Sequence, residues 1–264
     1  MEIREKVFAI TGAAQGLGQA MAMELAAAGA QLALIDLDAQ MLTETIAHCN
    51  EVAERKGFGT LSVKAYGANV TDEEAVERVF KSIAEDFGAL HGLINNAGLL
   101  RDGMLVKVKD GELKEKMSLS QWQSVIDVNL TGTFLCGREA AALMATQAQG
   151  GADNGVIINI ASISKAGNMG QSNYSASKAG VASLVVTWAR ELGRYGIRVG
   201  GIAPGVIETA MTGGMKPEAL ERLVEAVPIK RLGAAAEVAR SARFIIENGY
   251  FSGRILELDG GLRI

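Results

Sequence analysis

Residues 6–36 read KVFAITGAAQGLGQAMAMELAAAGAQLALID. Lys6–Thr11 is a short apolar run, the pattern of a strand buried on both faces. Gly16–Ala28 is rich in Ala, Met and Leu and predicts a helix, which Gly29 ends as a C-terminal glycine does. Gln31–Asp36 (QLALID) is a second buried-strand run. Strand, glycine-rich turn, helix and strand make a βαβ unit. Gly12 permits the tight turn, Gly16 lets backbone approach a diphosphate, and Gly18 lets the helix pack close. Gln15, Gly16, Leu17 and Gly18 open the helix, where free N–H groups and the positive dipole end meet phosphate oxygens.

The same alternation continues to the end of the chain. Helices are predicted over Ala39–Lys56, Asp72–Phe87, Ser120–Ala148 and Tyr174–Tyr195. Strands are predicted over Leu61–Tyr66, Leu90–Asn95, Gly155–Ser162, Ile197–Ala203 and Arg254–Leu258. With the first two runs this makes seven strands. Apolar strands alternating with helices predict one α/β domain over residues 1–264, a doubly wound parallel sheet with helices on both faces. Two segments interrupt the rhythm. Residues 99–119 are polar and long for a strand-to-helix connection, an expected insertion. Residues 205–227 follow the sixth strand and form an expected substrate loop. Both leave strand ends, where ligands bind in such sheets.

Composition narrows the class. The chain has 264 residues, 48% hydrophobic, enough for one full core. Net charge is −4 with no basic block, which argues against nucleic acid or an anionic membrane as partner. Cys49 and Cys136 are the only cysteines and read as core or helix residues rather than a disulfide. His48 and Cys49 are adjacent and point apart on a helix, so no metal site is expected. The first residues enter a strand at once and lack a secretory pattern. No apolar run reaches the ~18 residues that a membrane span needs. The expected location is the cytoplasm.

Asp36 ends the second strand, 18 residues after Gly18. A carboxylate there accepts hydrogen bonds from both adenosine ribose hydroxyls and repels a 2′-phosphate. Neither Gln15, Leu37 nor Asp38 is a base that would hold such a phosphate. The expected coenzyme is NAD(H) in preference to NADP(H). Asp38 is better placed than Asp36 to cap the following helix. Asn69 and Val70 follow the third strand, where they can meet the amino edge and the face of an adenine.

Further motifs follow in order. Asn95-Asn96-Ala97-Gly98 ends the fourth strand. Then come Asn129, Ser162, Tyr174-Ser175-Ala176-Ser177-Lys178, and Pro204-Gly205-Val206-Ile207-Glu208-Thr209. Together with the glycine turn this series resembles the classical short-chain dehydrogenase/reductase family across essentially the whole chain. The resemblance implies a Rossmann-type fold and a catalytic tetrad of Asn129, Ser162, Tyr174 and Lys178. It implies that Asn96, Ala97 and Gly98 lie by the adenosine side of the coenzyme. Pro204, Gly205, Ile207 and Thr209 would border the nicotinamide.

The residue types suit that chemistry. Carbonyl reduction needs a proton donor as hydride reaches carbon. Free Tyr titrates near ~10, and a neighbouring ammonium favours its phenolate. Lys178 follows Tyr174 by one helical turn and shares its face. Ser162 can hold the substrate oxygen, and Ser164 in the same loop is its rival. From the family, Lys178 would also bond the nicotinamide ribose and Asn129 would order a water behind it. An intact tetrad argues against a non-catalytic NAD(H)-sensing module.

Arg101-Asp102-Gly103-Met104-Leu105, Ile126–Leu130 and Val227–Gly233 are similar to bacterial 3-oxoacyl-acyl-carrier-protein reductases, as is the ending Asp259-Gly260-Gly261. The implied substrate is a 3-oxoacyl thioester, with acyl carrier protein a possible partner. The runner-up is an NAD-dependent dehydrogenase of another small alcohol, diketone, polyol or steroid. This chain departs from those reductases in Gln15 and Asp36, which favour NAD. It also departs in the long Val106–Leu119 segment and in Ala145–Asn154, which has no Lys or Arg. Arg194 and Arg198 are the candidate substitutes for carrier-protein contacts. Helix Lys178–Leu192 is apolar nearly all round, so a second subunit is expected against it, with Gly180, Ala182 and Ser183 allowing close approach. The resemblance implies a homotetramer.

Overall fold

The computed structural model describes residues 1–147, 153–208 and 217–263. Seven parallel strands form its central sheet: β1 (Val7–Thr11), β2 (Gln31–Asp36), β3 (Val63–Gly67), β4 (Gly92–Asn95), β7 (Gly155–Ile160), β8 (Ile197–Pro204) and β11 (Arg254–Leu258). Their spatial order is β11-β8-β7-β4-β1-β2-β3. The chain winds outward from β1 to β3, crosses back to β4, then winds the other way. β1 and β4 are therefore the switch point, and the crevice beyond their carboxyl ends is the expected ligand position.

Side-chain alternation along β1 decides which helices cover which face. Phe8 and Ile10 point into a core built with α1 (Gly16–Ala26) and the last helix, Ala235–Glu247. Val7 and Ala9 point into a second core with α3 (Glu73–Phe87), α5 (Gly132–Thr146) and α6 (Ser172–Leu192). Cys49, in α2 (Thr43–Arg55), and Cys136, in α5, are buried with free thiols, one in each core. Asp72 caps α3 by accepting from Ala75 N–H, with Glu73 and Glu74 in the first turn where the dipole favours them. Among the described residues no helix is long and apolar enough to cross a membrane.

Three expectations of the sequence need correction. The helix expected over Ser120–Ala148 is α4 (Leu119–Ile126), a π-helical turn (Asp127–Thr131) and α5, so Asn129 sits on a widened turn rather than a regular helix. π turns of this kind recur at functional sites. The polar 99–119 segment is not plain loop. It contains an antiparallel hairpin, β5 (Val106–Lys109) and β6 (Glu112–Lys116), joined at Asp110-Gly111. Both turn residues have positive φ, 55° and 78°, as a two-residue hairpin turn requires. Every hairpin side chain is exposed. Finally, Gly180 does not face outward: a Cβ there would stand 2.9 Å from Leu130 of the same chain. Its smallness serves the packing of α6 on the π turn. The outward stripe of α6 is instead Ala176, Ala179, Ser183 and Val186.

Candidate active site

The glycine turn is stitched to the start of the next crossover. Thr11 Oγ1 accepts from the backbone N–H of Asn96 at 3.0 Å and of Ala97 at 3.1 Å. Asn96 Nδ2 returns two bonds, to the carbonyls of Thr11 at 3.1 Å and Gly12 at 2.9 Å. Gly12 has φ +64°, and a Cβ there would lie 2.9 Å from Ala97 Cα. A Cβ on Gly18 would overlap the Gly12 carbonyl oxygen. The closeness that Gly18 permits is thus of helix to turn rather than of helix to sheet. Gly16 has φ +58° and open space where its Cβ would be. The α1 start has no side-chain cap and no acid in its first turn. Free N–H groups beside an open glycine are a cradle that fits a diphosphate. Gln15 is exposed and Leu17 half-buried at this turn.

Asp36 holds the neighbouring rim. Its Oδ2 accepts from Ala14 N–H at 2.9 Å and its Oδ1 from Leu37 N–H at 2.8 Å. Each oxygen keeps a lone pair for a ribose hydroxyl. Asp38 does the capping, accepting from Gln40 N–H at 2.9 Å. Exposed Asn69 closes its own turn by accepting from Thr71 N–H. Val70 is buried against Gly132, where a Cβ would come within 2.6 Å of it.

On the other side of the switch point the four candidate catalytic side chains converge. Ser162 follows β7, and its hydroxyl lies near enough to the Tyr174 phenol to favour the phenolate. Ser164 turns inward and is buried, donating its backbone N–H to Ser162 Oγ at 3.1 Å. Ser162, not Ser164, is the serine whose hydroxyl acts on the tyrosine. Lys178 Nζ lies 5.7 Å from the Tyr174 ring centroid and donates to the Ile160 carbonyl at 2.7 Å. Asn129 Nδ2 donates to the Leu99 carbonyl at 3.0 Å and to Ser177 Oγ at 3.1 Å, while its Oδ1 accepts from Leu99 N–H at 2.7 Å. Asn129 therefore locks the exit of β4 to the π turn, and one Oδ1 lone pair is left for a water. Gly98 lies between Asn129 and Lys178. Pro204 ends β8, Gly205 packs against Asp259, and Ile207 is buried in β9 (Ile207–Glu208), which pairs with β10 (Gly233–Ala234). Thr209 lies outside the described residues.

A family model described as Enoyl-(Acyl carrier protein) reductase matches residues 12–263. The chain belongs to the short-chain dehydrogenase/reductase family. It is similar to the 3-oxoacyl-[acyl-carrier-protein] reductase FabG of Thermotoga maritima, 36% identical over all of both chains. It is 34% identical to the FabG of Staphylococcus aureus strain Mu50, over 96% of each. The crystal structure of levodione reductase superposes with TM-score 0.84 at 33% identity, covering 98% of this chain and 97% of that one. The structure titled gox2181 gives TM-score 0.83 at 32% identity, with the same coverage. This short-chain dehydrogenase/reductase is accordingly an oxidoreductase acting on CH–OH groups with a nicotinamide coenzyme.

The electrostatics of this dehydrogenase site differ from the expectation. Lys178 was expected to pull the Tyr174 pKa down. Within the chain, burial dominates and raises it; the Ser162 bond opposes this, and Asp102 raises it further. Burial also lowers Lys178 to about 8. Below that pH the folded chain carries a buried ammonium whose cost is complete. Between about 8 and the ordinary lysine value near ~10.4 the unfolded chain binds the extra proton, so this cost fades as pH rises. Cys49 and Cys136, both raised to about 12 by burial, contribute the opposite slope at high pH. A Lys178→Met variant isolates the lysine. The stability difference between variant and wild type is expected to move in favour of wild type by up to about 3 kcal/mol between pH 7 and pH 10. Urea unfolding of both proteins at the two pH values checks this; loss of the Ile160 bond adds only a pH-independent offset.

Two features escaped the sequence reading. Thr11 as the stitch between turn and crossover has no motif of its own. Arg198, taken as a surface base, is buried: it donates to the carbonyls of Ile245, Ile246, Asn248 and Phe251 and pairs with Asp153 at 3.1 Å. It cannot meet a carrier protein.

Proposed function

We propose that the protein is an NAD(H)-dependent reductase of 3-oxoacyl thioesters, carried on acyl carrier protein or coenzyme A. The observation that carries the reading is the meeting of Ser162, Tyr174 and Lys178 at the carboxyl end of the sheet, beside the glycine cradle. Bound NADH would supply the hydride. Gly12, Gln15, Gly16, Leu17 and Gly18 would hold the diphosphate, Asp36 and Leu37 the adenosine ribose, and Asn69 and Val70 the adenine. Asn96, Ala97 and Gly98 would line the adenosine side. Pro204, Gly205, Ile207 and Thr209 would border the nicotinamide.

Ser162 donates a hydrogen bond to the carbonyl oxygen, and Tyr174 gives that oxygen its proton. A raised tyrosine pKa suits this direction, because the phenol stays protonated at neutral pH and is a ready acid. Lys178 steadies the phenolate left behind, and Asn129 holds a water for reprotonation. The names of the curated relatives support a 3-oxoacyl substrate, and the absence of a base at Gln15, Leu37 and Asp38 supports NAD(H).

Steady-state kinetics with an acetoacetyl thioester test the reading, with NADH and NADPH compared. NADH-dependent turnover is expected. A protein that binds NADH yet leaves the thioester untouched would be a dehydrogenase of another alcohol or diketone, the alternative that likeness to levodione reductase favours.

We further infer a homotetramer in the cytoplasm. The small, exposed residues of α6 (Ala176, Ala179, Ser183) and the exposed Val186 and Phe134 support close packing of copies. Light scattering at micromolar concentration is expected to give four times the mass of one chain; a monomer contradicts it.

A further inference from the structure

A glycine in a cleft has one of three physical reasons: a left-handed backbone, a neighbour too close for a Cβ, or room kept for something else. Gly12 has the first two and Gly18 the second. Gly98 has neither. Its φ lies outside the left-handed region. A Cβ there would make only ordinary contacts, 3.5 Å from Asn129 Oδ1, 3.7 Å from the Asn96 carbonyl oxygen and 3.8 Å from Lys178 Nζ. The fold would accept alanine at this position, so the third reason remains.

The three atoms nearest that point are all polar. Lys178 Nζ has three N–H donors and spends one on the Ile160 carbonyl at 2.7 Å. Asn129 Oδ1 accepts from Leu99 N–H at 2.7 Å and keeps a second lone pair. Leu99 and Ser177 fix which end of the amide faces Gly98. The Ser177 hydroxyl donates to the Tyr174 carbonyl at 2.8 Å, so its oxygen accepts from Asn129 Nδ2 at 3.1 Å and the Oδ1 end turns the other way. One donor and two acceptors around a point are the partners that a bound water needs. Asn129 and Lys178 are buried while Gly98 is exposed, so the point opens to the cleft. Lys178 Nζ is also the atom that lies 5.7 Å from the Tyr174 ring centroid.

We infer that Gly98 is a positioning residue for proton supply: having no side chain, it leaves room for a water held by Lys178 Nζ and Asn129 Oδ1, on the route by which solvent protons return to the Tyr174 side of the cleft. The role goes beyond lining the coenzyme, and it rests on Tyr174 as the proton donor proposed above. In each reduction a hydride adds to the carbonyl carbon and the Tyr174 phenol gives its proton to the oxygen. One proton from solvent must then reach the phenolate before the next turnover. The first turnover uses the proton already on Tyr174, and every later one depends on the supply. A methyl at Gly98 takes the place of the water and leaves all four catalytic side chains where they are.

The test compares wild type with Gly98→Ala on the N-acetylcysteamine thioester of acetoacetate. Enzyme in excess over NADH gives a single turnover, and NADH in excess gives many. The single-turnover rate of Gly98→Ala is expected to stay near wild type, while its steady-state kcat falls roughly tenfold or more. Urea unfolding and NADH affinity are expected to be unchanged, because the methyl makes only ordinary contacts. A merely structural role would slow the first turnover as much as the later ones, and that result overturns the inference. So does a raised Kd for NADH with kcat retained, which makes Gly98 a coenzyme contact, and so does an unchanged steady-state rate. A crystal structure of the chain alone needs no substrate. It is expected to show a water within hydrogen-bonding range of Lys178 Nζ and Asn129 Oδ1 in wild type, and its loss in Gly98→Ala. A wild-type structure without that water overturns the inference whatever the substrate. Wild-type inactivity on the thioester with the water present overturns the 3-oxoacyl reading alone, and the same rate comparison then uses a diketone.

Discussion

Tyr174→Phe is expected to lower kcat for carbonyl reduction by roughly 10²–10⁴-fold and to leave NADH affinity within a factor of a few. The substitution removes one oxygen. The ring, its packing and its contact with Lys178 stay, so the coenzyme face of the site is little changed. What goes is the hydroxyl proposed as proton donor, which lies near Ser162 and beside a buried ammonium. Without it the developing alkoxide must take its proton from water through a longer path. The sign of the tyrosine shift adds a second signature. A phenol raised by burial is a good acid in reduction, but alcohol oxidation needs its phenolate. The wild-type oxidation rate is therefore expected to climb with pH across the alkaline range, and the Phe variant to lose that climb. Stopped-flow reduction together with a coenzyme titration separates chemistry from binding. A variant that keeps a tenth of the wild-type rate would remove Tyr174 from the donor role.

How much of this was legible depends on the range of the interaction that decides each feature. The five inner strands announced themselves because strands buried on both faces are apolar runs, and the half-exposed edge strands β3 and β11 were legible from the strand–helix alternation. The glycine turn and the Tyr174–Lys178 spacing are local patterns, and the structure brings those residues to one edge. The π turn at Asp127–Thr131 was not legible. It is an extra residue's worth of winding, held by Asn129 on Leu99 and by the Thr133 hydroxyl on the Asn129 carbonyl at 2.7 Å. The hairpin was legible and was missed: VKVKDGELKEK alternates around Asp-Gly, the strongest short-range signal for such a turn. Its charged composition suggested a loop, but cross-strand neighbours such as Lys107 and Glu115 pair acid with base. Arg198 misled because a lone arginine at a strand start reads as solvated. Only the fold shows that four carbonyls around the last helix need a donor there. The tyrosine shift misled for the same reason, since burial is a property of the whole packed cleft.

Asp36→Ala is expected to move the kcat/KM ratio of NADH to NADPH toward NADPH by about two to three orders of magnitude. The magnitude follows from charge: a 2′-phosphate within hydrogen-bonding range of a surface carboxylate meets about 4 kcal/mol of repulsion, close to a thousandfold. Two effects share the sign. The substitution removes the acceptors of the NAD ribose and removes the repulsion of the phosphate. A third effect has to be separated from them. Asp36 also accepts from Ala14 N–H, one residue before the exposed Gln15, so its loss loosens the glycine turn that would hold either coenzyme. That loosening weakens NADH and NADPH alike and cancels in the ratio. Asp36→Asn provides the finer control, because an amide oxygen can keep the Ala14 bond while the charge is gone. If charge sets the preference, Asn and Ala are expected to shift the ratio by similar amounts, with Ala alone losing affinity for both coenzymes. If both variants keep the wild-type ratio, Asp36 serves the turn and not the ribose, and the proposed preference for NAD(H) loses its basis.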